Sequence, residues 1–153
     1  MSNTILIIAH APLATALRQC VMHVYSGAGA AEVESVLTAF DVPADQSLDE
    51  TLAAVRRVMN LSPVQSTLVL TDLFGATPCN IAQKLVEGLP ARVVAGVNLP
   101  MLLRAVTYWR EPLDVLVTRT MAGGTQGVMQ VANVPPQNQA RKKNDQDNND
   151  HQQ

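Results

Sequence analysis

Three observations predict an α/β fold in which a parallel sheet is covered by helices on both faces. The runs Ile5-Leu6-Ile7-Ile8 and Leu68-Val69-Leu70 are apolar without alternation, as strands buried on both faces must be. Segments with helical apolar spacing follow each such run, so strand and helix alternate along the chain. Apolar residues make up 47% of the sequence and charged residues 16%, which suits a doubly covered sheet. The common small arrangement of this kind is a three-layer α/β/α sandwich with strand order 2-1-3-4.

The elements read in order as follows. The first strand, from Ile5, ends at His10. Leu13, Leu17, Cys20, Val21 and Val24 then recur at helical spacing, with Pro12 suited to the first turn, so a helix is expected over residues 12–25. Ser26-Gly27-Ala28-Gly29 stops it. Val33, Val36, Leu37, Phe40 and Val42 read as an imperfect second strand ending near Pro43. Ser47 and Glu50 form a capping-box pair that opens a helix carrying Leu48, Leu52, Val55, Val58 and Met59. Residues 66–71, STLVLT, are the third strand. Thr77 and Pro78 read as N-cap and first residue of a helix that buries Ile81, Ala82, Leu85 and Val86 and ends at Gly88. Residues 92–97 are the fourth strand, Asn98 shapes the loop after it, and a helix follows over 100–108. Leu113, Leu116, Val117, Thr120 and Met121 fit a last helix, stopped by Gly123-Gly124, and residues 128–134 a short final strand.

The chain has 153 residues, enough for one domain that buries about two-thirds of its unfolded surface. That domain is expected over residues 1–134. Residues 135–153 carry no apolar side chain larger than alanine and are expected to be a disordered polar tail. The formal net charge is −2, and no basic cluster lies in the periodic region, so nucleic acid is not an expected partner. No apolar stretch approaches the roughly 18 residues of a membrane span, and the N-terminus lacks the basic region of a leader. Cys20 and Cys79 are too far apart for a metal or redox motif. A cytoplasmic protein with reduced thiols is expected. There is no P-loop and no dinucleotide fingerprint, and no cofactor or metal is expected.

In a 2-1-3-4 sheet the ligand crevice lies between the carboxyl ends of strands 1 and 3. Strand 1 ends at His10 and strand 3 at Asp72, so two ionisable residues far apart in sequence meet there. A strand-end histidine alone is most often structural, and aspartate is a common turn cap. Their convergence is what singles these two out. A carboxylate that accepts from one imidazole N–H fixes the tautomer and makes the far nitrogen a better nucleophile. A phosphoryl group on that nitrogen could be held by backbone N–H groups at the starts of the first and third helices, with the Thr77 hydroxyl nearby. His23 lies late in the first helix, where a cation suits the dipole. Cys79 reads as a packed small residue, and Trp109 as core or interface.

Three segments carry a family resemblance: IIAHAPLATAL, TDLFGATPCNIA and AGVNLPMLLRA. In this order and spacing the chain resembles, over about residues 4–133, the enzyme IIA component of the mannose family of the bacterial phosphoenolpyruvate-dependent sugar phosphotransferase system. The resemblance implies that His10 is phosphorylated on Nε2 by phospho-HPr, that Asp72 orients it and that Thr77 is the hydroxyl residue near it. It implies transfer onward to a IIB component, here on a separate chain, and a homodimer whose final antiparallel strand, residues 128–134, is exchanged between subunits. The chain departs from the family pattern in having Ala11-Pro12 where glycine usually follows the histidine, and Ala76 where the loop usually has a second glycine. A stand-alone module whose His10 phosphorylation controls a partner protein is the alternative expectation. A receiver-like domain phosphorylated on Asp72 would need an acidic cluster where His10 stands, and a Cys79–His10 hydrolase has no recognisable motif.

Overall fold

The structure, a computed structural model, describes residues 2–59 and 61–133. The first strand, β1 (Thr4–His10), is followed by α1 (Leu13–Val24), α2 (Ala30–Val36) and β2 (Leu37–Val42). Then come α3 (Leu48–Val58), β3 (Thr67–Thr71), α4 (Thr77–Leu85) and β4 (Ala91–Ala95). Two helices, α5 (Leu99–Thr107) and α6 (Leu113–Gln126), complete the described elements. The sheet has four strands, all parallel, in the order β2-β1-β3-β4. This is the three-layer sandwich the apolar runs predict.

Strand alternation divides the core in two. Ile5, Ile7, Ala9, Leu68 and Leu70 face α1, α5 and α6, packing on Ala14, Val21, Leu102, Ala105 and Leu116. Leu6, Ile8 and Val69 face α3 and α4, packing on Leu52, Val55, Ile81 and Leu85. Ile5 to Ile8 are 0–1% exposed, so β1 is buried on both faces. Each such side chain contributes about 1.5–3 kcal/mol through burial. Asn3 fastens the start of β1 to the other end of the chain: its Nδ2 donates to the carbonyls of Trp109 and Glu111 at 2.7 and 2.6 Å. Trp109 itself is half-buried against the first core layer.

Four expectations change. Val33 and Val36 belong to α2, not to the second strand, which begins only at Leu37. Gly29, at φ 94°, starts this helix, and Val33 and Val36 lie three apart on its buried face. The N-cap of α4 is Ala76, so Thr77 and Pro78 are the first two helical residues. Gly123-Gly124 does not stop α6, which continues to Gln126. Both glycines are buried where α6 crosses α5, and a Cβ on Gly123 would lie 2.7 Å from the Arg104 Cβ. They are there for close approach, not termination. Finally, residues 128–133 form no strand within the chain, while Val134 and the expected tail lie outside the described residues.

Candidate functional site

The carboxyl ends of β1 and β3 lie side by side, with Ile8 opposite Thr71. Just beyond this pair, His10 and Asp72 meet. The His10 backbone N–H donates to Asp72 Oδ2 at 3.1 Å, and His10 Nδ1 lies 2.7 Å from the same oxygen. The other carboxylate oxygen, Oδ1, accepts from the Leu73 backbone N–H at 3.0 Å. Burial pushes the Asp72 carboxyl up. The hydrogen bonds from the His10 ring and backbone, together with the charge of His10, outweigh it and hold the group below its ordinary value of 3.8. An ionised carboxylate is acceptor-only, so the hydrogen of the neutral imidazole resides on Nδ1 and the lone pair on Nε2. The Asp72 side chain is 12% exposed and that of His10 53%. The ring is therefore fixed at its inner nitrogen and open at its outer one.

His10 continues the alternation of Leu6 and Ile8 and so leaves the sheet on the side of α4. No side chain caps the start of α4, and Pro78 has no N–H to offer. The N–H groups of Thr77 and Cys79 remain to draw an anion. Thr77 is not hydrogen-bonded to His10 or Asp72 in the structure. Cys79 is 3% exposed and packs into the core.

The start of α1 differs from expectation. Asp41, at the end of β2, accepts from the Thr15 backbone N–H at 3.0 Å and from the Thr15 hydroxyl. A carboxylate already occupies that helix terminus, so of the two expected anion-holding helices only α4 is open. Alternation places Asp41 on the face of Leu37 and Ala39, toward α1. That signal becomes readable only once β2 is known to begin at Leu37. Among the described residues no group of His, Cys, Asp and Glu could hold a metal ion, and no helix is long and apolar enough to cross a membrane.

The family model described as "PTS system fructose IIA component", EIIA-man, matches residues 4–114. The chain belongs to the EIIA-man family. A relative, the sorbose-specific EIIA component of Lacticaseibacillus casei, is 33% identical over 119 residues, covering 76% of this chain and 82% of that protein. A mannose/sorbose-specific IIA subunit from Enterococcus faecalis superposes with a TM-score of 0.73 at 25% identity, over 88% of this chain and 98% of its own. An EIIA component from Streptococcus agalactiae gives 0.71 at 25% identity, over 84% and 96%. This EIIA-man chain is thus a component of the phosphotransferase system, and its His10–Asp72 pair lies inside the matched segment.

Proposed function

We propose that the chain is a phosphocarrier in which His10 accepts a phosphoryl group on Nε2 from phospho-HPr and passes it to a IIB component. The observation that carries this reading is the pairing of Nδ1 with Asp72, which leaves Nε2 as the exposed nucleophile. In the forward step the Nε2 lone pair forms a bond to phosphorus while the phosphorus–nitrogen bond of the donor histidine breaks. That electron pair returns to the donor ring. The His10 ring then carries positive charge, which the Asp72 carboxylate offsets through the Nδ1–H. The phosphoryl oxygens lie toward the open N–H groups of α4, with Thr77 as hydroxyl donor. Such transfer is positioning plus electrostatics and needs no further covalent partner.

The active species in this reading is a cytoplasmic homodimer. Val128, Met129 and Val131 are 79%, 70% and 84% exposed at the end of the described chain. β4 lies at the edge of the sheet, and beside it Val94, Ala95, Gly96 and Met121 line a cavity of about 250 Å³. Residues 128–134 exchanged onto a partner's β4 would cover both features.

Incubation with phosphoenolpyruvate, enzyme I and HPr, followed by intact mass, tests the carrier reading. One added phosphate, acid-labile and missing from His10→Ala, is the expected result. No mass gain, or a gain that survives His10→Ala, would contradict it.

A further inference from the structure

We infer that Asp41 keeps phosphorylated His10 a ready donor: its carboxylate fills the start of α1, so that a phosphoryl group on His10 is drawn by α4 alone and leaves again for the next acceptor. This rests on the reading of His10 as the phosphoryl acceptor. Two helices begin beside the crevice, α1 after β1 and α4 after β3, one on each face of the sheet. Each has an exposed threonine in its first turn, Thr15 and Thr77, and neither N-cap residue supplies a side-chain cap. Both starts would therefore draw an anion through free N–H groups and the positive end of the dipole. At α1 that role is taken: Asp41 accepts from the Thr15 N–H at 3.0 Å with Oδ1 and from the Thr15 hydroxyl with Oδ2. Among the described residues no carboxylate does the same at α4.

The sheet holds Asp41 next to the site. Asp41 pairs with Ala9, while the adjacent Val42 pairs with His10 and accepts the Ala11 N–H at 3.0 Å. Neighbouring strands lie about 4.8 Å apart, which puts the Asp41 backbone about 6 Å from that of His10. The two side chains leave the sheet on opposite faces, so the carboxylate acts on the phosphoryl group through its charge and not by contact. Among the described residues no Lys, Arg or His forms an ion pair with Asp41. Its charge offsets the positive end of α1 and sets a like charge beside the incoming phosphoryl group. Asp72 acts in the opposite sense, since its carboxylate is committed to the His10 ring. A carrier has to release what it accepts, and two open helix starts would hold the phosphoryl group more firmly than one. A charge at a helix terminus changes an equilibrium by about two- to fivefold.

The test is an equilibrium, so contacts made only during transfer do not enter it. Isolated phospho-HPr is mixed with the full chain without phosphoenolpyruvate, and the final partition of phosphate between the two proteins is read by intact mass at neutral pH. Asp41→Asn removes the charge but keeps an oxygen for Thr15, and is expected to shift the partition about two- to fivefold toward the phosphorylated chain. Asp41→Ser should shift it alike, and Asp41→Glu, which keeps the charge, should retain the original partition. The shift should shrink as salt rises from about 0.05 to 0.5 M. Glu87 is exposed between α4 and β4, at the opposite end of the sheet, and Glu87→Gln should leave the partition unchanged. A lower urea midpoint in Asp41→Asn with an unmoved partition would make Asp41 a structural cap only and overturns the inference. So does a shift toward phospho-HPr, or an equal shift in Glu87→Gln. If the unsubstituted chain takes no phosphate, the carrier reading itself fails; if it does and both neutral variants leave the partition unmoved, the role of Asp41 alone fails.

Discussion

His10 and Asp72 divide one task between two carboxylate oxygens and two ring nitrogens, and each atom has a separate consequence. Oδ2 takes both the ring and the backbone of His10, while Oδ1 takes Leu73. Asp72→Asn keeps the shape but puts a neutral amide against the ring, so the charge on His10 in the transfer loses its partner. The phosphorylation rate should fall by about 10–100-fold, the scale on which loss of a carboxylate that orients a metal-binding histidine acts. The same pair gives a pH signature. A carboxyl whose folded value is depressed contributes stability that is complete above its unfolded value and lost as pH falls through the folded one. Urea midpoints of the unsubstituted chain should therefore fall more steeply than those of Asp72→Asn as the pH drops below about 4. Parallel curves would mean that the pair adds nothing to the fold. His10 and Asp72 were legible in the sequence because one ends and the other directly follows a buried strand that stops at the crevice. Asp41 was not, because its orientation depends on a strand boundary that β-branched Val33 and Val36 obscured.

Among the elements, sequence signals held where a local hydrogen bond enforces them. Ser47 and Glu50 form the reciprocal capping box, with the Glu50 N–H donating to Ser47 Oγ at 3.2 Å and the Ser47 N–H to Glu50 Oε2 at 3.1 Å. Ser47→Ala should lower stability by about 1 kcal/mol, read as a shift in denaturant midpoint. Asn98 likewise caps α5 by accepting from the Met101 N–H at 2.9 Å. Signals failed where tertiary packing decides. Gly123 reads as a helix stop, yet its lack of a Cβ lets α6 approach α5. Gly123→Ala gains about 1 kcal/mol of helix propensity. It also drives a methyl against the base of Arg104, an overpacking that costs about 1–3 kcal/mol. The net expectation is destabilisation; a raised melting temperature would show that α5 and α6 separate easily. Thr77 was misplaced by one position, because Ala76 takes the extended N-cap conformation with no side chain to announce it.

For the molecule as a whole, strand order follows from two runs buried on both faces, which must occupy the centre of the sheet. Edge strands are harder to read: β2 and β4 are only partly buried, and their boundaries moved accordingly. The single chain leaves the β4 edge open and Val128, Met129 and Val131 exposed. Removal of residues 128–153 should convert a dimer to a monomer by sedimentation and leave the His10–Asp72 contact within one chain. A full-length chain that sediments as a monomer would remove the exchanged strand from the account. The phosphoryl chemistry of the site comes down to one atom, Nε2 of His10. It is tested most directly by phosphorylating ring-15N-histidine-labelled protein through enzyme I and HPr and identifying the modified nitrogen by 15N–31P coupling. The pairing of Nδ1 with Asp72 predicts phosphate on Nε2 of His10 alone, with the Nδ1–H retained. Phosphate on Nδ1, or on any other residue, would contradict it.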